Sequence, residues 1–390
     1  MDIPSAKTAA VAALVLVGCA AEPAIVPEEV VEASPLSSCQ TDVFATDGDL
    51  EPTSAEKLST LQRRLPDWLL QTDTPSATVA YISQGALQWS FVCGEMEDGK
   101  PATLRTRYNT ASIAKPVVGE IALRLAAQNQ ITLDEPMVEH WLDPDIADDP
   151  RASELRPRLA LSHQTGFANW RRMTDGKLAF QWDPGTRTGY SGEGVRYVTR
   201  FLEAKFDTPF EELADEVLFA PSGMDESSFV ASPGFQDTIA WGRQADREWL
   251  EPAYNDEPLG AGSVWTTSSD YARFLVAILA NEGVNPQQVS DRAAINRDEV
   301  SQWCGEGRTP LEACPDQMGF GISWYVYRYA DHTLFAHSGS NLVDKSLALF
   351  VPETQSGFVT LTNGENGKDA ISRIARVLYD NEDFYTLEGY

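Results

Sequence analysis

Three short stretches of the chain hold side chains that can do chemistry together. The first is Tyr108-Asn-Thr-Ala-Ser112-Ile-Ala-Lys115-Pro116, which contains Ser-x-x-Lys. If a helix begins at Ser112, residues three apart share a face and the hydroxyl meets the amine. A lysine kept partly neutral by burial can then take the serine proton, which activates an otherwise weak nucleophile. The spacing alone is a weak signal, because a second copy occurs at Ser54-Ala-Glu-Lys57. That copy reads as a helix N-cap with solvated charges, whereas Ser112 has small apolar neighbours and a Gly/Ala-rich helix after it. The second stretch, Pro184-Gly-Thr-Arg-Thr-Gly-Tyr190-Ser191-Gly192, places a tyrosine on a loop between a Pro-Gly turn and a helix. A phenol can shuttle protons where a lysine cation stabilises its anion, although a single tyrosine more often only packs. The third, Phe335-Ala-His337-Ser338-Gly339-Ser340, ends a strand in small residues. Such an edge lets a substrate backbone lie close, and its N–H groups can point at a developing oxyanion. A lone histidine there is more often structural than chemical.

These stretches need elements to hold them. Leu58, Leu61, Leu65 and Leu69 recur at helical spacing, so a helix is expected over Ser54 to Leu70. Thr78 to Ile82 and Leu87 to Val92 read as a hairpin about Gln84-Gly85. A second strand series runs through Ile322 to Tyr329, Thr333 to Ala336, Ser346 to Val351 and Phe358 to Thr362, followed by a helix over Lys368 to Tyr379. Between the two series, Pro116 to Ala127, Val195 to Lys205 and Ser269 to Leu279 are helical. Strands at both ends with helices between predict one sheet assembled from the two ends of the chain, with a mostly helical region inserted.

The sequence resembles the serine β-lactamase and penicillin-recognising hydrolase superfamily, in the branch with class C β-lactamases, D-alanyl-D-alanine carboxypeptidases, D-aminopeptidases and related esterases. The resemblance covers about residues 54 to 380. It rests on Ser112 to Lys115, Leu161-Ser-His-Gln-Thr-Gly166-Phe, Pro184-Gly-Thr with Tyr190-Ser191, Pro221-Ser-Gly-Met224 with Phe229, Gly260-Ala-Gly262 to Asp270, His337-Ser-Gly339 and Leu361-Thr-Asn363-Gly. It implies a β-lactamase/transpeptidase-like α/β sandwich, its antiparallel sheet flanked by helices, with the site in a cleft between that α/β part and a helical part. It implies that Ser112 is the acylated nucleophile, Lys115 its general base or proton relay, and Tyr190 a partner base that protonates the leaving group. The oxyanion hole would be the backbone N–H groups of Ser112 and Ser340, and substrate would lie against His337, Ser338, Gly339 and Gly192. His163 would hold the helical part together. No metal or cofactor is implied.

Two departures bear on substrate. The commonest tyrosine motif of the superfamily is Tyr-Ser-Asn, and here Gly192 stands third. Without that amide, recognition of an acylamide side chain should weaken by roughly 1–3 kcal/mol. His337 replaces the lysine common in β-lactamases, though a His triplet also occurs in carboxypeptidase and aminopeptidase branches. The favoured reading is therefore a serine hydrolase of carboxylic esters. The alternatives, in descending order, are a D-amino acid peptidase or D-Ala-D-Ala carboxypeptidase on cell-wall peptides, a β-lactamase, and a non-catalytic envelope binding protein.

The chain of 390 residues is 43% hydrophobic and 23% charged, enough for a large core. With 30 basic against 58 acidic residues its formal charge is -28, which argues against nucleic acid as a partner. The acidity is spread along the chain and suits solubility or salt adaptation. Lys7 and the apolar run Ala9 to Val17 read as a signal peptide too short to span a bilayer. Leu16-Val17-Gly18-Cys19 resembles a bacterial lipobox, with Cys19 as the lipid-bearing thiol, a membrane-anchored lipoprotein of the cell envelope (periplasmic side if Gram-negative) as the expected product, and cleavage after Ala21 as the alternative. The expected divisions are 1–19 signal, 20–53 acidic Pro-rich tether, 54–380 hydrolase domain and 381–390 tail, the domain comprising an α/β part (54–110 and 310–380) and a helical part (111–309). Four further cysteines remain, an even number for an exported chain. Cys304 with Cys314 and Cys39 with Cys93 are the favoured disulfides. Zinc is poorly supported for lack of CxxC spacing or nearby histidines, and free thiols are the minor option. The oligomeric state is left open.

Overall fold

Leu58, Leu61, Leu65 and Leu69 do lie on one buried face of a helix, α1, which spans Pro52–Gln71. Each such leucine contributes roughly 1.5–3 kcal/mol when fully buried. A computed structural model describes residues 38–45, 50–254, 260–305 and 309–390 of the chain. The signal segment and Cys19 lie outside the described residues, as does most of the tether.

The sheet that α1 covers is antiparallel and nine-stranded. Its strands in chain order are β1 (Cys39–Val43), β2 (Ser76–Ser83), β3 (Ala86–Glu97), β4 (Gln317–Phe320), β5 (Tyr325–Arg328), β6 (Thr333–Ser340), β7 (Lys345–Val351) and β8 (Ser356–Thr362). Across the sheet they run β1-β3-β2-β8-β7-β6-β5-β4, with Lys100–Pro101 paired to β3 off this path. Both termini therefore contribute, as expected, and β2 joins β8 at Ala80↔Val359.

Alternation along the strands makes two apolar faces. Against one lie α1 and α6 (Gly367–Leu378), burying Leu65, Trp89, Leu349 and Ile374. Against the other lie the central helices α2 (Ala114–Ala127), α3 (Gly192–Phe206), α4 (Ser268–Leu279) and α5 (Pro286–Ala293), sharing a core with Ala80, Val92 and Val359. Among the described residues no helix is long and apolar enough to cross a membrane. The central region is less helical than expected. Residues 163–190, 220–254 and 260–267 are largely loops, with single 3₁₀ turns and two-residue strands.

The structure redraws two boundaries. Cys39–Val43, assigned by composition to the tether, is the sheet's edge strand, with all five residues exposed and Cys39 opposite Cys93 in register. The stretch taken as a tail forms a helix, α7 (Glu382–Glu388), capped by Asn381 Oδ1 on the Phe384 N–H and anchored by fully buried Phe384 and Tyr385. The disulfides Cys39–Cys93 and Cys304–Cys314 are both formed.

Candidate active site

The backbone turns sharply just before Ser112. Ala111 holds a left-handed φ of 48°, a conformation that costs an L-residue roughly 1–2 kcal/mol. Its N–H is fixed by Asn109 Oδ1 at 2.8 Å. The chain then makes one 3₁₀ turn, Ala111–Ile113, and enters α2. Lys115 falls one turn after Ser112, and its Nζ donates to Ser112 Oγ at 3.1 Å and to the Ala261 carbonyl. Lys115 is wholly buried, and that burial pulls its ammonium down to about 7. Near neutral pH a large share of this lysine is thus a free base within reach of the serine proton.

Tyr190 completes the group. Its hydroxyl shares a hydrogen bond with Ser112, and burial pushes it well above the ordinary phenol range. The ring lies 4.8 Å from Lys115 Nζ. Behind it the His163 ring packs at 4.4 Å, while His163 Nδ1 accepts the Ser191 N–H at 3.1 Å. Burial, then the Lys115 cation, holds His163 well below its usual range. His163 is accordingly a neutral brace that sets the tyrosine's position.

The first turn of α3 is built around the same loop. Its leading N–H groups have no helical partner of their own. Gly192 N–H goes to Asn169 Oδ1 at 2.9 Å, Glu193 N–H to the Asn169 carbonyl at 3.1 Å, and Gly194 N–H to Ser191 Oγ at 3.0 Å. Segment 169–171 is thereby bound to the helix start.

On the opposite wall β6 brings its small residues to the nucleophile. A Cβ on Gly339 would lie 2.1 Å from Ser346 Oγ, 2.5 Å from the Thr110 carbonyl and 3.0 Å from the Ser112 nitrogen. Only glycine permits that approach. The Asn341 N–H bonds the Asp344 carbonyl, so the antiparallel alternation turns the N–H of Ser340 away from β7. On that side β5 has already ended, its Tyr325 pairing with Ala336. Among the described residues Ser340 N–H therefore faces an unpaired edge, and Ser340 lines the cavity. Ser338 lines the same cavity and hydrogen-bonds Tyr390. His337 Nδ1 lies 2.7 Å from the Ser338 carbonyl and so carries the proton, leaving Nε2 as a buried acceptor with no hydrogen-bond partner among the described residues. Burial, then the Lys115 cation, lowers His337 to about 3, so it is neutral.

Ser112, Lys115, Tyr190 and residues 337–340 are thus brought to one place. A cavity of about 1010 Å³ is lined by Ser112, Tyr190, His337, Ser338 and Ser340 and extends to Leu387 and Glu388 of α7, whereas Gly192, expected to touch substrate, is buried against Trp170 and does not line it. Trp170, Asn169 and Phe320 also line it; Asn169 and Phe320 were not picked out from the sequence.

The model of the Beta-lactamase family matches residues 55–381. Esterase EstB of Burkholderia gladioli is 25% identical over 320 residues, 60% of this chain and 77% of that protein. A beta-lactamase of Yersinia enterocolitica is 22% identical over 336 residues, 81% and 82% of the two chains. The crystal structure of D-alanine carboxypeptidase AmpC from Burkholderia cenocepacia superposes with a TM-score of 0.66 at 17% identity, over 82% of this chain and 99% of that one. With the match running from α1 to the end of the sheet and beyond, the chain belongs to the β-lactamase family and has the fold of its serine hydrolases.

Proposed function

We propose that the protein is an exported serine hydrolase that cleaves carboxylic esters through an acyl-enzyme on Ser112. The observation that carries the hydrolase reading is the meeting of Ser112 Oγ, buried Lys115 Nζ and the Tyr190 hydroxyl in one cleft. Neutral Lys115 takes the proton as Ser112 Oγ bonds the ester carbonyl carbon. The oxyanion collects the N–H groups of Ser112 and Ser340. The C–O bond to the alcohol then breaks, and the departing oxygen takes the Tyr190 proton, which Lys115 replaces. Water, deprotonated by the same pair, releases the acid and restores Ser112.

The chemistry of the walls favours esters over carboxylate-bearing substrates. His337 offers an acceptor where a cation would be needed to hold a carboxylate. Glu299 and Glu388 line the cavity against a single arginine, Arg172, so the lining as described is net acidic. EstB, by its name an esterase, is consistent with this choice. The acidic lining also supports a second reading, a peptidase for substrates with a free amine. The disulfides suit an oxidising compartment, and with the lipobox-like Cys19 they support export to the cell envelope and anchoring by lipid.

Initial rates on p-nitrophenyl butyrate and on a chromogenic cephalosporin, with Ser112→Ala as the blank, test the proposal. Ser112-dependent ester turnover with an inert cephalosporin is expected. Efficient cephalosporin turnover would move β-lactamase to first place, and release of D-Ala from a D-Ala-D-Ala peptide without ester turnover would favour the peptidase.

A further inference from the structure

We infer that Trp170 is the specificity-determining wall of the acyl pocket, and that residue 192 is glycine in order to admit it. This inference rests on the ester reading above and names the acyl group it selects. A Cβ on Gly192 would lie 2.6, 2.8 and 2.9 Å from three carbons of the Trp170 six-membered ring. Contacts that short do not occur, so any side chain at 192 must displace the indole. The reason is space alone: Gly192 has no positive φ and sits at the start of a regular helix. The ring also touches Gly262, where a Cβ would stand 3.4 Å away at ordinary contact, so the crowding that excludes a side chain is at Gly192.

The indole is not a loose flap. Its neighbour Asn169 is bound to the N–H groups of Gly192 and Glu193. Its other neighbour, Arg171, receives buried Glu193 three ways: the backbone N–H at 3.0 Å, Nε at 3.1 Å and a terminal guanidinium nitrogen at 2.9 Å. Arg171 also pairs with Asp143 at 3.0 Å. Half-buried Trp170 lies between these two clamps, with its ring 5.9 Å from Lys115 Nζ and its surface lining the cavity beside Ser112 and Tyr190. A rigid aromatic face therefore takes the place from which a side chain at 192 would reach substrate. It offers apolar contact and no carbonyl acceptor. The acyl group it fits is an unbranched or aromatic hydrocarbon, without an amide beside the reacting carbonyl.

The test uses Trp170→Ala, Trp170→Phe, Gly192→Asn and the double variant Trp170→Ala/Gly192→Asn. The readouts are kcat/KM on p-nitrophenyl esters from acetate to hexanoate and the labelling rate with alkyl fluorophosphonates of the same chain lengths. In the parent enzyme both should rise with chain length. Trp170→Ala should erase that rise, lowering hexanoate relative to acetate by roughly tenfold, and Trp170→Phe should restore most of it. Gly192→Asn should slow labelling by at least about thirtyfold with Trp170 present and by less than about threefold in the Trp170→Ala background, a strongly non-additive pair. A chain-length profile that Trp170→Ala leaves unchanged overturns the wall. A Gly192→Asn penalty that is absent, or equal in both backgrounds, overturns the fit between the two residues. If the parent enzyme is labelled by phosphonate but turns over no ester, the ester reading fails, while the profile and the coupling read from labelling still decide the role of Trp170.

Discussion

In the proposed acylation, Lys115 can serve as the base because it is buried and not merely near Ser112. Its value of about 7 comes from desolvation alone, and the phenol of Tyr190 is pushed the other way. Of the two, Lys115 is the group that changes charge around neutrality. The base works deprotonated, so acylation should rise about tenfold per pH unit below about 7 and level off above it. Single-turnover labelling across roughly pH 5.5 to 8.5 checks this, and a flat profile would remove Lys115 as the titrating base. Lys115→Ala should lower the acylation rate by roughly 10²–10⁴-fold and abolish the inflection. Gly339 makes a second residue-scale prediction. A methyl group there must clear both Ser346 Oγ and the Thr110 carbonyl, which belongs to the turn that carries Ser112. Gly339→Ala should therefore reduce kcat/KM by about 100-fold or more through the displaced oxyanion donors. Ser346→Ala, which relieves only one of the two clashes, should not rescue it.

At the scale of elements, α2 is held in place by an ion pair as well as by its apolar residues. Arg292 on α5 grips Glu120 on α2 through Nε at 2.5 Å and a terminal nitrogen at 2.8 Å, and both residues are almost completely buried. Leaving one such charge without its partner costs roughly 3–5 kcal/mol, whereas replacing both by apolar residues is often neutral. Glu120→Ala should thus lower stability by about that amount, and Glu120→Leu/Arg292→Met should recover most of it in chemical denaturation. If the double variant is as unstable as the single one, the pair stabilises the packing outright. Much at this scale was legible from the sequence, because α1, α2 and the central strands announce themselves by local periodicity. Ser112, Lys115 and Tyr190 were legible through the resemblance carried by several ordered motifs, since Ser-x-x-Lys alone also occurs at Ser54 to Lys57. β1 was not, since Cys39-Gln-Thr-Asp-Val43 is exposed on both faces and carries no apolar alternation. What makes it a strand is hydrogen bonding to β3 and the Cys39–Cys93 bond. The contact between Trp170 and residue 192 was illegible because the two are 22 positions apart across a loop that no periodicity describes.

For the whole molecule the outstanding number is the charge of -28. Some acids are matched locally, as where Arg158 meets Asp134 and Asp291, or Arg171 meets Asp143 and Glu193. With 58 acidic against 30 basic residues, however, pairing every cation would still leave 28 carboxylates without a balancing charge. Folding brings these charges together, so self-repulsion opposes the compact state. Salt acts on the two sets in opposite directions, weakening the ion pairs and screening the repulsion. Exposed pairs contribute only about 0–1 kcal/mol each, while the excess charge acts over the full surface. Screening of the repulsion should therefore win, and the melting temperature should rise between roughly 10 mM and 0.5 M sodium chloride, where the Debye length shrinks from about 30 Å to a few ångströms. Sodium chloride suits the test because it lacks the strong surface exclusion of sulfate, which would raise stability for a different reason. A melting temperature that falls with salt would mean that the local ion pairs outweigh the excess charge, and that the acidity serves solubility at no cost to the fold.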